Sequence, residues 1–192
     1  MEVLLGLLTI ESMSGYDLGQ TVRGSVGFFW NESYGQIYPN LKKLAADGLV
    51  TSKKERQKGK PGRHIYSITK KGREHLASWL AVPPQAEIPR NELLLKLFFG
   101  AQFSAEISAG YVESMAESEQ RSLLFIKSVA VEIAKNQQYP DAPYWKMAVR
   151  FGEFELEAHL RWAEETLVEL NRLAGNPKRQ AQTREEKRHA SK

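Results

Sequence analysis

A short stretch with turn and strand character, set into a chain otherwise patterned for helices, is the feature that most constrains this sequence. Gln57–Gly62 contains two glycines and a proline, residues that favour a turn. The strand-like run Leu49–Arg56 precedes it, and Arg63–Thr69, with two isoleucines and a tyrosine, follows it. The pattern predicts a two-stranded β-hairpin.

Two helices are predicted before residue 25. Residues 2–11 are too densely leucine-rich for a surface helix and are expected to be buried. Ser14 is a suitable N-cap for the second helix, which is predicted to end near Gly24, and Asp17 occupies the position where a carboxylate suits the helix dipole. Residues 24–32 are predicted to form a loop.

A third helix is predicted from Ser33 to Asp47, and Gln36 completes a capping-box pattern with Ser33. Pro39 lacks the amide that a helix interior needs, so the helix either begins after Ser33 or kinks. Gly48 suits the residue after the helix end. Thr69 is expected to cap a fourth helix that runs through Leu80.

Three prolines in Val82–Arg90 predict the main domain boundary. The expected organisation is a first domain over 1–81, a linker over 82–90, a helical domain over 91–174 and a disordered basic tail over 175–192. The helical domain should contain a long helix over about 104–138, a break at 139–143 and a last helix over about 144–174.

Charge is distributed unevenly along the chain, whose net charge is only +4. Residues 51–75 carry nine basic and two acidic residues, and the tail from Gly175 carries six basic and two acidic ones. A basic block on an otherwise acidic body indicates a polyanionic partner, although a solvated charge run is the plainer alternative.

Three helices, a ribbon and a further helix within 80 residues give the order of a winged helix-turn-helix. The third helix is expected to place Ser33, Gln36, Asn40 and Lys43 on one face, opposite Ile37, Leu41 and Leu44. Glutamine and asparagine can bond adenine, and lysine can bond guanine or phosphate. The turn between the strands carries Lys58, Lys60, Arg63 and His64, which could contact a DNA backbone.

The motifs Ser14-Gly15-Tyr16-Asp17-Leu18 and Ser33-Tyr34-Gly35-Gln36-Ile37-Tyr38-Pro39, followed by Asp47-Gly48-Leu49, Gly62-Arg63, Tyr66 and Thr69, resemble the PadR family of transcriptional regulators. The likeness covers about residues 1–173, and the part beginning at Glu92 is similar to the family's longer members. It implies a mostly α chain, with an N-terminal winged helix-turn-helix domain and a C-terminal all-helical dimerisation domain. It also implies an operator with an inverted repeat and, as the possible effector, a small phenolic acid. The expected DNA-binding residues are Ser14, Tyr16, Ser33, Tyr34, Gln36, Tyr38, Asn40, Lys43, Lys60, Arg63 and His64.

Two apolar stripes lie on the last helix, about 100° apart. The first is expected to need a second subunit to cover it and to form the dimer interface: Trp145, Val149, Leu156, Leu160, Leu167 and Leu170. The second, which includes Tyr144, Phe151 and Trp162, is either an effector site or more of the dimer core, and the core interpretation is favoured.

Catalytic and cofactor chemistry has no support in the sequence. There are no cysteines, the histidines are scattered, and no metalloprotease, P-loop, dinucleotide or nucleophile-elbow motif is present. Neither an enzyme nor a cofactor is expected. The first apolar run is too short for a membrane span, so a cytoplasmic location is expected. The sequence therefore predicts a DNA-binding repressor relieved by a small effector; the alternative is a winged-helix module that binds protein instead of DNA.

Overall fold

The computed structural model describes residues 1–30, 34–55, 62–85 and 90–175. The chain divides into two compact units, Met1–Glu87 and Ile88–Lys192. The division falls within the proline-containing stretch 82–90. Each unit has its own apolar core.

The N-terminal unit combines four helices with a small antiparallel sheet. The helices are α1 (Glu2–Ile10), α2 (Gly15–Gly24), α3 (Tyr34–Ala46) and α4 (Lys70–Leu80), and the strands are β1 (Met13–Ser14), β2 (Val50–Glu55) and β3 (Arg63–Ile68). The sheet order is β1-β3-β2. The sequence predicted β2 and β3 but not β1, because two residues are too few to show an alternating pattern.

The core of this unit forms where α1, α2 and α3 meet the first residues of β2. Leu4 and Leu5 of α1, Leu18 of α2, and Ile37 and Leu41 of α3 are completely buried. The density of leucines in α1 is explained by this position, since a helix with apolar side chains around much of its surface must be covered on several sides.

The predicted caps of α2 and α4 are confirmed. The Ser14 hydroxyl accepts from the Asp17 amide at 3.2 Å, and the Asp17 carboxylate receives the Ser14 amide at 3.4 Å in a reciprocal capping box. The Thr69 hydroxyl accepts from the Gly72 amide at 3.0 Å. Both caps give otherwise unpaired helix amides an acceptor.

Pro39 lies inside α3, which begins at Tyr34 in the described part of the chain. The helix therefore does not begin at the proline. Pro39 has no amide to donate to the Gly35 carbonyl, but Gly35 is exposed and water can satisfy that carbonyl. The predicted cap at Ser33 lies outside the described residues.

The segment after α3 is held by hydrogen bonds from the start of α4. The Thr69 hydroxyl lies 2.8 Å from the Gly48 carbonyl, and the Lys71 ammonium donates to the Asp47 carbonyl at 2.8 Å. Gly48 has a positive φ of 71°, which a glycine adopts without strain. These contacts fix the C-terminal end of α3 against the base of the β2–β3 ribbon.

The C-terminal unit consists of α5 (Glu92–Phe98), α6 (Ala105–Lys135) and α7 (Ala142–Ala174). At 1.5 Å per residue, α6 and α7 are each about 45–50 Å long. The connection between them covers residues 136–141 and so lies earlier than the predicted break at 139–143, because α6 ends at Lys135 and α7 begins at Ala142 and includes Pro143. A proline in the first turn of a helix loses no hydrogen bond, since the amide there has no partner within the helix.

The helices α6 and α7 pack along each other as an antiparallel pair. The shared core contains Ala109 and Val112 of α6 with Ala163 and Leu170 of α7, and Ile126 is also fully buried. At the opposite end of the pair, Ala130 and Val149 line a small groove between the two helices. The pair is therefore in contact over most of its length.

Gly72 is the glycine whose replacement the fold tolerates least among those described. A Cβ added there would lie 2.1 Å from the Leu49 carbonyl oxygen and 2.8 Å from a side-chain carbon of Ile68. We expect Gly72→Ala to lower the free energy of unfolding by about 1–3 kcal/mol, the usual cost of overpacking a core. Thermal and urea unfolding followed by circular dichroism would measure the loss.

Gly6→Ala is the matched control, because nothing lies within 4 Å of the added Cβ in the middle of α1. The control should leave stability unchanged or raise it by up to about 1 kcal/mol, since alanine is the better helix former. Equal effects of the two substitutions would contradict the close packing of α4 on the strand base.

Candidate DNA interface

Helix α3 has one buried side and one broad exposed side. Ile37, Leu41 and Leu44 each have 0% exposure, whereas Gln36 and Lys43 are exposed. The buried stripe anchors the helix on α1 and α2, so the other side is available to a partner. This part of the sequence prediction agrees with the structure.

Asn40 does not lie opposite the buried stripe as expected. It is half-buried, because Leu44 is four residues further on and therefore only about 40° away around the helix axis. Lys42, which the sequence analysis did not select, is fully on the exposed side. Successive residues of a helix are rotated by about 100°, and this rotation places Lys42 on the side of α3 away from the buried stripe. The sequence alone is therefore sufficient to identify Lys42 as exposed.

At the start of α2, the predicted DNA contact Ser14 is buried in the helix cap, whereas Tyr16 is exposed. The Ser14 hydroxyl is used by the capping box, donating to the Asp17 carboxylate at 2.8 Å, and Ser14 is buried. The predicted role of Ser14 in DNA contact is thus not supported by its geometry. Tyr16 is exposed, and its hydroxyl accepts from the Gln20 amide group at 2.8 Å.

Tyr38 links α3 to the start of α2. Its ring lies so close to Gly15 that an added Cβ would be 2.7 Å from a ring carbon. About half of the Tyr38 side chain is nevertheless exposed. Gly15 therefore allows the close approach of α2 and α3 that defines a helix-turn-helix, and Tyr38 remains accessible beside it.

The β2–β3 ribbon extends beyond the core. A strand that packs on a core buries alternate residues, yet every residue of β2 after Val50 is exposed. His64 is exposed as well, and its Nδ1 lies 3.0 Å from the Ser52 hydroxyl across the ribbon. A ribbon whose outer strand β2 is exposed after Val50 and carries Lys53 and Lys54, while β3 packs on the core through Tyr66 and Ile68, has the geometry of a wing.

Arg63, a predicted phosphate contact, is engaged by two carboxylates. Its Nε donates to Glu55 Oε2 at 2.7 Å, and its Nη1 lies 3.7 Å from Asp17 Oδ2. The hydrogen bond that Arg63 donates to Glu55 raises the pKa of Arg63 above its usual range. The local charge is one cation against two anions, so the turn end of the ribbon is less positive than the count over 51–75 implies.

Ser33 and Lys60, both predicted DNA contacts, lie outside the described residues, and of Tyr34 only the backbone position at the start of α3 is described. Their roles stay predictions. The exposed candidates in the described part of the N-terminal unit are Tyr16, Gln36, Tyr38, Lys43 and His64, with Arg63 held in its ion pairs.

The predicted effector residues do not form one site. Tyr144 and Trp162 are 18 residues apart on α7, which corresponds to about 27 Å along the axis. Tyr144 and Phe151 are strongly exposed, while Trp162 packs against the core of the C-terminal unit. A molecule the size of a phenolic acid cannot contact all three in one copy of the chain.

The predicted dimer stripe faces α6 more than was expected. Val149 and Leu170 are buried within the single chain, and the remaining members are half-buried: Trp145, Leu156, Leu160 and Leu167. Helix α6 thus covers part of this stripe within one chain, and the assignment of the stripe to a dimer interface stays a prediction. Four of the apolar side chains that α7 leaves exposed are spaced by three and four residues: Tyr144, Met147, Phe151 and Phe154. Val168 is exposed as well but lies apart from them.

Neither a metal site nor a membrane span is found in the described part of the chain. No group of three or more histidine and acidic side chains there could hold a metal ion. None of the helices in 1–30, 34–55, 62–85 and 90–175 is both long and apolar enough to cross a bilayer.

The N-terminal unit is thus a winged helix-turn-helix, in which α2 and α3 form the helix pair and β2–β3 the wing. The chain matches the model of the transcriptional regulator PadR-like family over residues 4–78 and that of the virulence activator alpha C-terminal region over residues 89–171. It belongs to the PadR-like family of transcriptional regulators, as the resemblance in its sequence indicated. The matched relatives are regulators rather than enzymes.

Individual relatives cover nearly the whole chain. The negative transcriptional regulator PadR of Bacillus subtilis is 27% identical over 175 residues, which are 88% of this chain and 96% of the relative. The structure of that protein in complex with operator DNA has a TM-score of 0.76 at 24% identity and covers 88% of this chain and 96% of that one. Its structure with p-coumaric acid has a TM-score of 0.69 at 23% identity, with 88% and 94% covered. The virulence activator AphA of Vibrio cholerae has a TM-score of 0.71 at 27% identity, with 90% and 98% covered.

Proposed function

We propose that this protein is a sequence-specific DNA-binding repressor that reads an operator with α3 and contacts the flanking backbone with the β2–β3 ribbon. The observation that carries the proposal is the geometry of α3. Its apolar stripe is completely buried, and its opposite side, with Gln36, Lys42 and Lys43, is exposed. A helix held in this way fits the major groove of B-form DNA, where amide and ammonium groups can bond base edges.

The wing supports the same function. Lys53 and Lys54 lie on β2, whose residues after Val50 are all exposed, in the same unit as the helix pair. Such cations attract the phosphate backbone and add affinity that does not depend on sequence. The B. subtilis relative is known in complex with operator DNA. We place the activity in the cytoplasm, where a bacterial operator would be reached.

The proposal is tested by selection from random duplex DNA with the full chain. We expect enrichment of an inverted repeat whose half-sites are about 10 base pairs apart or a multiple of that distance, since a symmetric dimer presents two α3 helices. Binding of the selected duplex should weaken steeply as salt rises. If the DNA sequences bound by the protein are no different from the starting random pool, a winged-helix module that binds protein is favoured instead.

Base reading by α3 is tested with Gln36→Ala. We expect this change to cost about 1–3 kcal/mol on the selected duplex and to relax preference at one base position, while binding of random DNA stays the same. Fluorescence anisotropy on both duplexes measures the difference.

Gln102→Ala removes the same exposed amide from the C-terminal unit and serves as the control. It should change neither affinity. If Gln36→Ala weakens the two duplexes equally, or neither of them, Gln36 does not read a base.

We further propose that the protein is a homodimer assembled through α7. Four exposed apolar side chains, Tyr144, Met147, Phe151 and Phe154, follow one another by three and four residues and so form one continuous stripe. A stripe of this kind on a soluble chain indicates a surface that a partner covers. The C-terminal unit matches the virulence activator C-terminal model, consistent with a self-association role.

Two double variants distinguish the exposed stripe from the stripe predicted from sequence. We expect Met147→Glu with Phe151→Glu to yield a folded monomer in sedimentation, because the charges would be buried in the interface but are solvated in the single chain. Leu160→Glu with Leu167→Glu should disrupt the α6–α7 pair itself, since both leucines are half-buried there. Circular dichroism separates the two results. A dimeric Met147/Phe151 variant would place the interface elsewhere.

A small aromatic acid is the effector that we propose, by analogy with the relative that binds p-coumaric acid. We expect p-coumaric acid to raise the Kd for the selected duplex at least several-fold, because a ligand that favours one conformation shifts the population away from the DNA-binding one. An aliphatic carboxylic acid of similar size is the control. An unchanged Kd with both acids would contradict this choice of effector.

A further inference from the structure

Three side chains connect the turn end of the β2–β3 ribbon to the first turn of α2. Arg63 begins β3, Glu55 ends β2, and the two are directly opposite each other in the ribbon register. Arg63 Nε donates to Glu55 Oε2 at 2.7 Å, and Arg63 Nη1 lies 3.7 Å from Asp17 Oδ2. One guanidinium therefore bridges two carboxylates on two different elements.

Asp17 is itself held in a fixed position. Its Oδ2 receives the Ser14 hydroxyl at 2.8 Å and the Ser14 amide at 3.4 Å. Ser14 also pairs with Ile65 in the sheet, two residues after Arg63. The carboxylate that Arg63 reaches is thus anchored to the same strand and helix end, and the bridge closes a small ring between α2, β1 and β3.

The charge of this cluster is unsuited to a phosphate contact. Arg63 is balanced by Glu55 and Asp17, which leaves a net charge of −1 in the cluster. A phosphate that approached Arg63 would be repelled by two carboxylates, one of which already accepts from the Arg63 Nε at 2.7 Å. An arginine in this setting does not add to the cationic surface of the wing.

We infer that Arg63 is a positioning residue, which sets the direction of the wing relative to α2 through Glu55 and Asp17, and that Glu55 favours DNA binding despite its negative charge. The inference rests on the proposed function, since it concerns how the wing reaches DNA. It differs from the expectation that Arg63 binds phosphate. The three side chains are each nearly half-exposed, so the bridge is modest and its loss should change affinity by a small factor.

The sign of the effect of Glu55→Gln distinguishes positioning from simple electrostatics. Removal of an acid beside a polyanion should tighten DNA binding if charge alone matters. We expect the opposite: Glu55→Gln should raise the Kd for the selected duplex about three- to five-fold. Glu74→Gln removes an exposed carboxylate from α4, where its ion-pair partner is Lys70, and it should leave the Kd unchanged or slightly lower.

The salt dependence of binding and a double variant distinguish a positioning role of Arg63 from a phosphate contact. Arg63→Ala should raise the Kd by a similar factor without changing the slope of log Kd against log salt. A lost phosphate contact would instead reduce the slope by about 0.9 for each copy. The double variant Glu55→Gln with Arg63→Ala should bind no more weakly than the weaker single variant, because both changes remove one interaction.

Amide hydrogen exchange of the full chain without DNA keeps the inference testable if the native chain binds no duplex. Exchange in β2, β3 and the first turn of α2 should become faster in Arg63→Ala and Glu55→Gln but not in Glu74→Gln. Failure of the native chain to bind DNA would refute the proposed function alone. Tighter binding by Glu55→Gln, a reduced salt slope in Arg63→Ala, additive effects of the two changes, or unchanged exchange would overturn the positioning role.

Discussion

The burial of Ile37, Leu41 and Leu44 against α1 and α2 is the interaction on which the rest of the N-terminal unit depends. All three side chains have 0% exposure, and each buried leucine or isoleucine contributes about 1.5–3 kcal/mol through the hydrophobic effect. Because these residues occupy one side of α3, they determine which residues face outward. The position of Gln36, Lys42 and Lys43 is therefore a consequence of core packing.

Polar contacts at the two ends of the β2–β3 ribbon hold the ribbon beside α2 and α3, whose orientation is set by the core. Thr69, Lys71 and the close-packed Gly72 hold the base of the ribbon against the end of α3. The Arg63 bridge connects the turn end of the ribbon with α2. Strand β2 is exposed after Val50, whereas β3 packs on the core through Tyr66 and Ile68 and pairs with β1. The direction of the ribbon is therefore set by β3 and its contacts.

Much of this fold is predictable because local chemistry and the global fold agree. The capping residues Ser14 and Thr69, the glycine at position 48 and the spacing of the apolar residues in α3 each specify an element with little reference to the rest of the chain. Family membership was also evident, since motifs such as Ser14-Gly15-Tyr16-Asp17-Leu18 are contiguous. The strand β1 was missed because its two residues are defined only by their partners in β3.

The site was less predictable than the fold, for reasons that involve distant residues. Arg63 was counted as a free cation because nothing in the sequence shows that Asp17, 46 positions earlier, lies beside it. The α7 stripe from Trp145 to Leu170 was assigned to a second subunit because the extent of α6 coverage depends on how the two helices pack. Asn40 could have been placed correctly, since its distance of four residues from Leu44 already puts it beside the buried stripe.

Amide hydrogen exchange of the full chain with and without the selected duplex tests the central claim most directly. The account predicts slower exchange on DNA addition in α3, particularly from Tyr34 to Asn40, and in the exposed strand β2. Slower exchange confined to α6 and α7, with α3 and β2 unchanged, would contradict the claim that the exposed side of α3 contacts DNA.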